Sequence, residues 1–179
     1  MDIGVFNKVL ALGAHTDDIE LGCGATLARL RRSGAAIHAI ALSRAELSLP
    51  LSMPRDTLER EFRSSMAVLG AAHAQVGGFP VRHFPAHRQE ILEELVITAR
   101  SLKPDLVLTH ATTDRHQDHE VVHAEAIRAF RGATILGFDI PWNQTLQNMN
   151  LHVEVAEEDV QLKERMLAEY RSQVTLGRG

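Results

Sequence analysis

Two short segments hold most of the side chains able to bind a metal or move a proton. The first is Ala14-His15-Thr16-Asp17-Asp18-Ile19-Glu20-Leu21-Gly22-Cys23-Gly24; the second is His110-Ala111-Thr112-Thr113-Asp114-Arg115-His116-Gln117-Asp118-His119. The chain has 10 histidines in 179 residues, yet His110, His116, His119 and His123 fall within one short stretch. An imidazole and paired carboxylates at the end of a buried strand are costly to desolvate unless they are paired or bound to a cation. One His and one Asp from the first segment with one His from the second make a His₂Asp set. Three protein ligands and an open fourth position is the pattern of a catalytic zinc, and the lack of thiolates argues against a closed structural site. Asp17 is then left over, beside a ligand and placed to deprotonate an attacking water. His116 and His119 are three apart, so at a helix start both face the same rim. A protonated His116 could stabilise an oxyanion and then protonate a leaving amine, while Asp118 could orient a ring nitrogen from behind. These are the parts of an amide hydrolase.

Each segment follows an apolar run of the kind buried on both faces of a sheet, Lys8 to Ala14 before the first and Asp105 to Thr109 before the second. Ala35 to Leu42 reads as another strand, a weak one ends near Gly77-Gly78-Phe79-Pro80, and Leu151 to Val155 is expected to be a strand too. Helices are predicted between them. Gly22 to Arg32 has cations in its last turn and a stop at Ser33-Gly34; Leu58, Phe62, Met66 and Leu69 recur at helical spacing until Gly70. Ile91 to Leu102 stops at Lys103-Pro104, a helix from Asp118 or His119 to Phe130 turns Val122, Ala126, Ile127 and Phe130 inward, and Asp159 to Tyr170 is the last. Alternating strands and helices imply βαβ units, a mostly parallel sheet and a Rossmann-like three-layer α/β/α sandwich. In such a fold ligands bind beyond the C-terminal strand edges, so both segments belong on one rim.

The 19 Lys and Arg against 23 Asp and Glu give a net charge of −4, which leaves no basic footprint for nucleic acid or an anionic membrane surface. A 45% hydrophobic and 23% charged composition is that of an ordinary soluble domain, expected to be single over 1–179. One cysteine closes no intrachain disulfide, the start Met1-Asp2-Ile3-Gly4 lacks a secretory pattern, and no apolar run nears the roughly 18 residues of a membrane span. A cytoplasmic protein is the expectation.

Each feature also has a plainer explanation. His15, Asp17 and Asp18 could cap a helix. His110 could bond to backbone at a strand end or stand behind a ligand; His123, one turn after His119, reads as a surface or inter-subunit histidine, with a fourth ligand conceivable. Asp114 could orient a ligand or cap a turn. Gly22 and Gly24 do not make a dinucleotide loop, because Leu27 occupies the third glycine position. Cys23 reads as a packed residue, and His38, His73, His83, His87 and His152 have no spaced partners.

The first segment resembles the Ala-His-Pro-Asp-Asp-Glu signature of the PIG-L/LmbE family of zinc-dependent N-acetylglucosaminyl deacetylases, and the second resembles its His-x-Asp-His element. Ser43-Arg44-Ala45-Glu46, Glu61 with Leu69-Gly70, Lys103-Pro104-Asp105-Leu106-Val107 and Tyr170-Arg171-Ser172-Gln173 extend the likeness over nearly the whole chain. The resemblance implies zinc, or another divalent ion, on His15, Asp18 and His119. It implies a general base at Asp17, an acid or oxyanion-stabilising His116, and Asp118 as the partner of that histidine. It also implies a small N-acetylated sugar or conjugate as substrate, and a homotrimer or homohexamer. Other readings are a hydrolase of a different small-molecule amide, or a catalytically idle metal- or sugar-binding protein. This sequence departs from the family in three places. Thr16 replaces the proline. Ile19 stands where the acid usually follows, with Glu20 next. Leu58 falls where an arginine near the substrate is expected, which leaves Arg55 or Arg60 for that role. Family members also continue for some tens of residues past the Ser-Gln element, so the resemblance implies either a truncated or a naturally short form.

Overall fold

Five apolar segments become strands: β1 (Lys8–Gly13), β2 (Ala36–Ala41), β3 (His73–Val76), β4 (Leu106–His110) and β5 (Thr134–Phe138). In this computed structural model, which describes residues 5–144 and 149–176, they form one sheet in the order β3-β2-β1-β4-β5 with every pairing parallel. β1 lies in the middle, with Val9 opposite Ile37 on one side and Leu106 on the other. Its side chains feed two cores in alternation, Val9 and Ala11 into one and Leu10 and Leu12 into the other. That explains the continuous apolar run, since a strand covered on both faces has no polar side to show.

Helices α1 (Asp18–Arg32) and α2 (Thr57–Leu69) cover the first core with Leu27, Leu30, Phe62 and Met66, joined by Met166 of α5 (Glu157–Leu167). Helices α3 (Arg88–Leu102) and α4 (Gln117–Ala129) cover the second with Ile91, Leu95, Val122 and Ala126. The result is the expected three-layer α/β/α sandwich. Gly70 ends α2 at φ +73° while its N–H returns to the last turn, a backbone conformation that suits glycine. No helix among the described residues is long and apolar enough to cross a membrane.

Several expectations are corrected. α1 starts at Asp18 rather than Gly22, because its first turn is separated from the rest by a break at Cys23 (φ −138°). Gly22 sits at that break with the Phe138 ring where a side chain would go, 2.1 Å from an added Cβ. The last strand is β5, while Leu151–Val155 is unpaired and lies over the first core through Val153. The last helix stops at Leu167 and a separate short helix α6 (Arg171–Thr175) follows. Ile127 is 47% exposed rather than inward.

The strand order reverses at the β1/β4 junction. The loops after these two strands, residues 14–17 and 111–116, therefore flank the crevice where a doubly wound sheet holds its ligands.

Candidate metal centre and cleft

His15, on the loop after β1, and His119, in the first turn of α4, turn ring nitrogens toward each other across this junction, with His15 Nδ1 and His119 Nε2 3.2 Å apart. Asp18 Oδ2 closes the triangle at 3.4 Å from His15 Nδ1 and 3.3 Å from His119 Nε2. Donors on a tetrahedral ion with bonds of about 2.0 Å stand about 3.3 Å apart. The opposite ring nitrogens are already engaged, His15 Nε2 with Asp118 Oδ2 at 3.0 Å and His119 Nδ1 with Asp114 Oδ2 at 2.8 Å. With N–H groups spent on those carboxylates, two imidazole lone pairs and a carboxylate oxygen converge on one point, an arrangement that calls for a cation. Carboxylates behind histidines are how metal-ligating rings are oriented. The donor set therefore fits a divalent ion of mixed nitrogen and oxygen preference.

Without a cation between them, the surrounding carboxylates draw protons onto the rings instead. Burial disfavours charge on His15, yet Asp18 and Asp118 outweigh it and hold its pKa up at about 10; His119, flanked by Asp18 and Asp114, is likewise raised to about 9. Burial would raise Asp18, but His119, His15 and His110 hold it well below the ordinary carboxylate range. Asp18 does not cap α1: its Oδ2 accepts the His15 backbone N–H at 2.7 Å, and Asp17, at the N-cap position, makes no capping bond.

Two overlapping groups could share an ion, His15 with His116 and His119, and Asp18 with His110 and His119. His110 is the weaker donor, since its Nε2 accepts the Ala14 N–H at 3.1 Å and that lone pair is occupied. Burial keeps it neutral, with a pKa near 4, and it stacks on His119 with centroids 3.8 Å apart. It is thus both of the things weighed for it, bonded to backbone and standing behind a candidate ligand. Asp114 likewise does two jobs, holding His119 and accepting the His116 N–H at 2.9 Å. His123 turns away and binds the His110 carbonyl oxygen. Cys23 is buried, its thiol pushed up by that burial.

Asp17 is half-buried and lines a cleft of about 480 Å³ together with His15 and His116. Burial and the neighbouring Asp18 carboxylate push its pKa up to about 6 against the pull of His15. In His116 the Nδ1 accepts the Asp118 backbone N–H at 3.2 Å, which leaves the ring proton on Nε2. Burial, then His119 and His15, lower the pKa of this ring. The pairing expected between the Asp118 side chain and His116 is corrected: that carboxylate holds His15 and also accepts the backbone N–H groups of Arg82 at 2.6 Å and Phe84 at 3.2 Å. Its two oxygens are filled by groups on other elements, so only its backbone reaches His116.

Neither Arg55 nor Arg60 lines the cleft. Arg55 donates to the Glu46 and Leu49 carbonyls, and Arg60 pairs with Asp56 on the exposed side of α2. The cleft contains instead Leu58 and, from the loop before α3, Arg82, which the sequence did not single out. A second feature lay hidden because its partners are far apart in the chain. Tyr170 OH reaches both the Thr16 carbonyl and Glu20 Oε1, Ser65 Oγ bonds the same oxygen at 2.6 Å, and Glu61 binds Ser172 through its backbone N–H and hydroxyl. The Tyr-Arg-Ser-Gln element and Glu61 are thus fastened beneath the His15–Asp18 loop. A larger cavity of about 610 Å³ beside β5 contains none of the converging residues.

Comparison with known proteins places this geometry among relatives. Residues 10–130 match the family described as PIG-L, GlcNAc-PI de-N-acetylase. The chain is 32% identical over 139 residues to the uncharacterized deacetylase YaiS of Escherichia coli strain K12, covering 74% of each. Two solved structures share the fold at low identity. The zinc-inhibited form of teicoplanin deacetylase Orf2 is 19% identical, with a TM-score of 0.77 over 97% of this chain and 87% of that one. GalB, the 4-carboxy-2-hydroxymuconate hydratase of Pseudomonas putida KT2440, is 20% identical, with a TM-score of 0.76 over 95% and 81%. Two reactions on one fold mean that the architecture alone does not assign the chemistry.

Proposed function

The chain belongs to the PIG-L family, and from that premise we propose that it is a zinc-dependent deacetylase acting on the N-acetyl amide of an N-acetylglucosamine-like compound. The observation that carries this reading is the triangle of His15, Asp18 and His119 donors, with Asp17 next in the chain and lining a cleft together with His15 and His116. His15, Asp18 and His119 would hold the divalent ion, which when bound would supply Lewis acidity for the amide carbonyl and for water.

The remaining work falls to the chain itself. Asp17 takes the proton from the attacking water, a task its raised pKa favours, and then passes it to the departing nitrogen. His116 presents its Nε2–H to the oxygen that gains negative charge as the carbonyl carbon becomes tetrahedral. Because its Nδ1 already accepts a backbone N–H, oxyanion stabilisation suits this ring better than supplying the proton for the amine. Asp118 and Asp114 hold the two ligating rings in place. The bond formed is carbon to water oxygen, the bond broken is carbon to nitrogen, and acetate and a free amine leave.

The test is metal analysis of the purified protein coupled to acetate release from a panel of N-acetylglucosamine conjugates after zinc reconstitution. Turnover that is lost in Asp17→Asn with zinc retained supports the assignment. Stoichiometric zinc with no acetate released, or turnover of an unsaturated carboxylic acid instead of an amide, overturns it.

A further inference from the structure

The cleft beside the metal centre contains one arginine or lysine, Arg82, and the amide chemistry makes no use of it. Other arginines of this protein are held by carboxylates, as Arg32 is by Asp159, Arg63 by Glu59, and Arg88 and Arg128 by Glu125. Among the described residues no hydrogen bond or ion pair engages the Arg82 guanidinium.

Its backbone, in contrast, is tightly held. Val81 and Phe84 are buried on either side, and the Arg82 and Phe84 N–H groups both bind Asp118, the carboxylate that orients His15. Arg82 therefore stands one carboxylate away from the metal centre. It also adopts φ +69°, a left-handed conformation that glycine or asparagine would take at lower cost. An arginine kept at such a position, with its side chain free and facing a cleft, recommends itself by what that side chain can bind. Apart from Asp17 and the two histidines, the rest of the lining is uncharged, Ala45, Leu47 and Leu58 being apolar and Thr16, Ser48 and Gln173 polar, so Arg82 is its one cation.

We infer that Arg82 is a specificity-determining residue that binds a carboxylate or phosphate on the substrate, so that the preferred compounds are anionic N-acetyl amides rather than neutral ones. This rests on the deacetylase reading for the amide but not for the anion. A guanidinium presents paired donors matched to either oxyanion, and its positive charge offsets the cost of bringing an anion near Asp17 in a chain of net charge −4.

The experiment uses zinc-reconstituted protein and the deacetylated products, which are not turned over. Calorimetric Kd values are measured for glucosamine, glucosamine 6-phosphate and muramic acid on the parent protein, Arg82→Gln and Arg82→Lys, with acetate release from the N-acetyl forms followed in parallel. At least one anion is expected to bind at least about tenfold tighter than glucosamine. That advantage should vanish in Arg82→Gln and survive in part in Arg82→Lys. Which anion gains distinguishes phosphate from carboxylate. No anionic advantage in the parent protein overturns the inference, as does an advantage that persists in Arg82→Gln, the result if the anion is drawn to the metal. An Arg82-dependent advantage without any acetate release upholds the anion site and rejects the deacetylase reading.

Discussion

The first turn of α1 faces two buried regions, and an acid enters each. Asp18, 4% exposed, points into a group of three histidines and is held ionised; Glu20, fully buried two residues later, points into hydroxyls and its pKa is raised to about 8. Burial pushes both carboxyls the same way, so the difference lies in what each faces. The Tyr170 and Ser65 hydroxyls both donate to Glu20 Oε1, but these neutral donors do not outweigh burial, and Asp17 pushes in the same direction as burial. One region is thus a charged site that wants a cation, and the other is a neutral support that fixes the loop carrying the site.

This contrast is tested most severely by Asp18→Asn and His119→Ala, which remove converging donors. Losing a partner behind a ligand already costs about 10- to 100-fold in metal affinity, and each of these changes is expected to exceed that in a chelator competition assay. Retained zinc would dissolve the distinction between the two regions. Asp17→Asn should lower kcat by about 10²- to 10⁴-fold while zinc content stays at the parental level, read by acetate release and metal analysis on the same sample. Asp118→Asn, which loosens His15, is expected to weaken zinc by about 10- to 100-fold.

Smaller effects sharpen the comparison from the neutral side. Glu20→Gln keeps the shape of a protonated acid, so zinc affinity should be unchanged. Because the folded pKa of about 8 lies above the ordinary value of 4.5, the stability Glu20 supplies is complete below pH 4.5 and is lost as pH rises through about 8. Denaturation of the parent should therefore become easier over that window, and the Gln variant should flatten the trend; parallel curves would show that Glu20 is ionised. Smallest is Asp159, a buried carboxylate held by the half-exposed Arg32 and the Ala156 N–H, which lower its pKa. Asp159→Asn should cost about 1 kcal/mol at pH 7, and the gap should close as pH falls below 3.8 toward the lowered folded value, as measured by urea unfolding.

Much of the arrangement was legible from residue pattern alone, for reasons the structure makes plain. The segments 8–14 and 105–109 are apolar on both faces because β1 and β4 are central, and polar groups immediately after such runs have to lie at the strand ends. β5 escaped notice because Thr134-Ile135-Leu136-Gly137-Phe138 is a short edge strand with a glycine inside, which weakens its β signal. Leu151–Val155 alternates like a strand, but the edge beside β4 is already filled by β5. The contacts of Asp118 with residues 82 and 84 and of Glu20 with Tyr170 join distant elements, and no local spacing announces them. The expectation that Asp118 serves His116 failed for the same reason.

The distance along the chain between the two halves of the site also governs when the site appears. Val9 pairs with Leu106, so closing the β1/β4 junction means closing a loop that contains β2, β3 and helices α1 to α3. Closing so long a loop is entropically costly and slow. Until the junction closes the three donors stand apart, and an ion has no assembled site to grip. Its stabilisation should be felt almost wholly as slower unfolding, so that added zinc lengthens the lifetime of the assembled protein without hastening its formation.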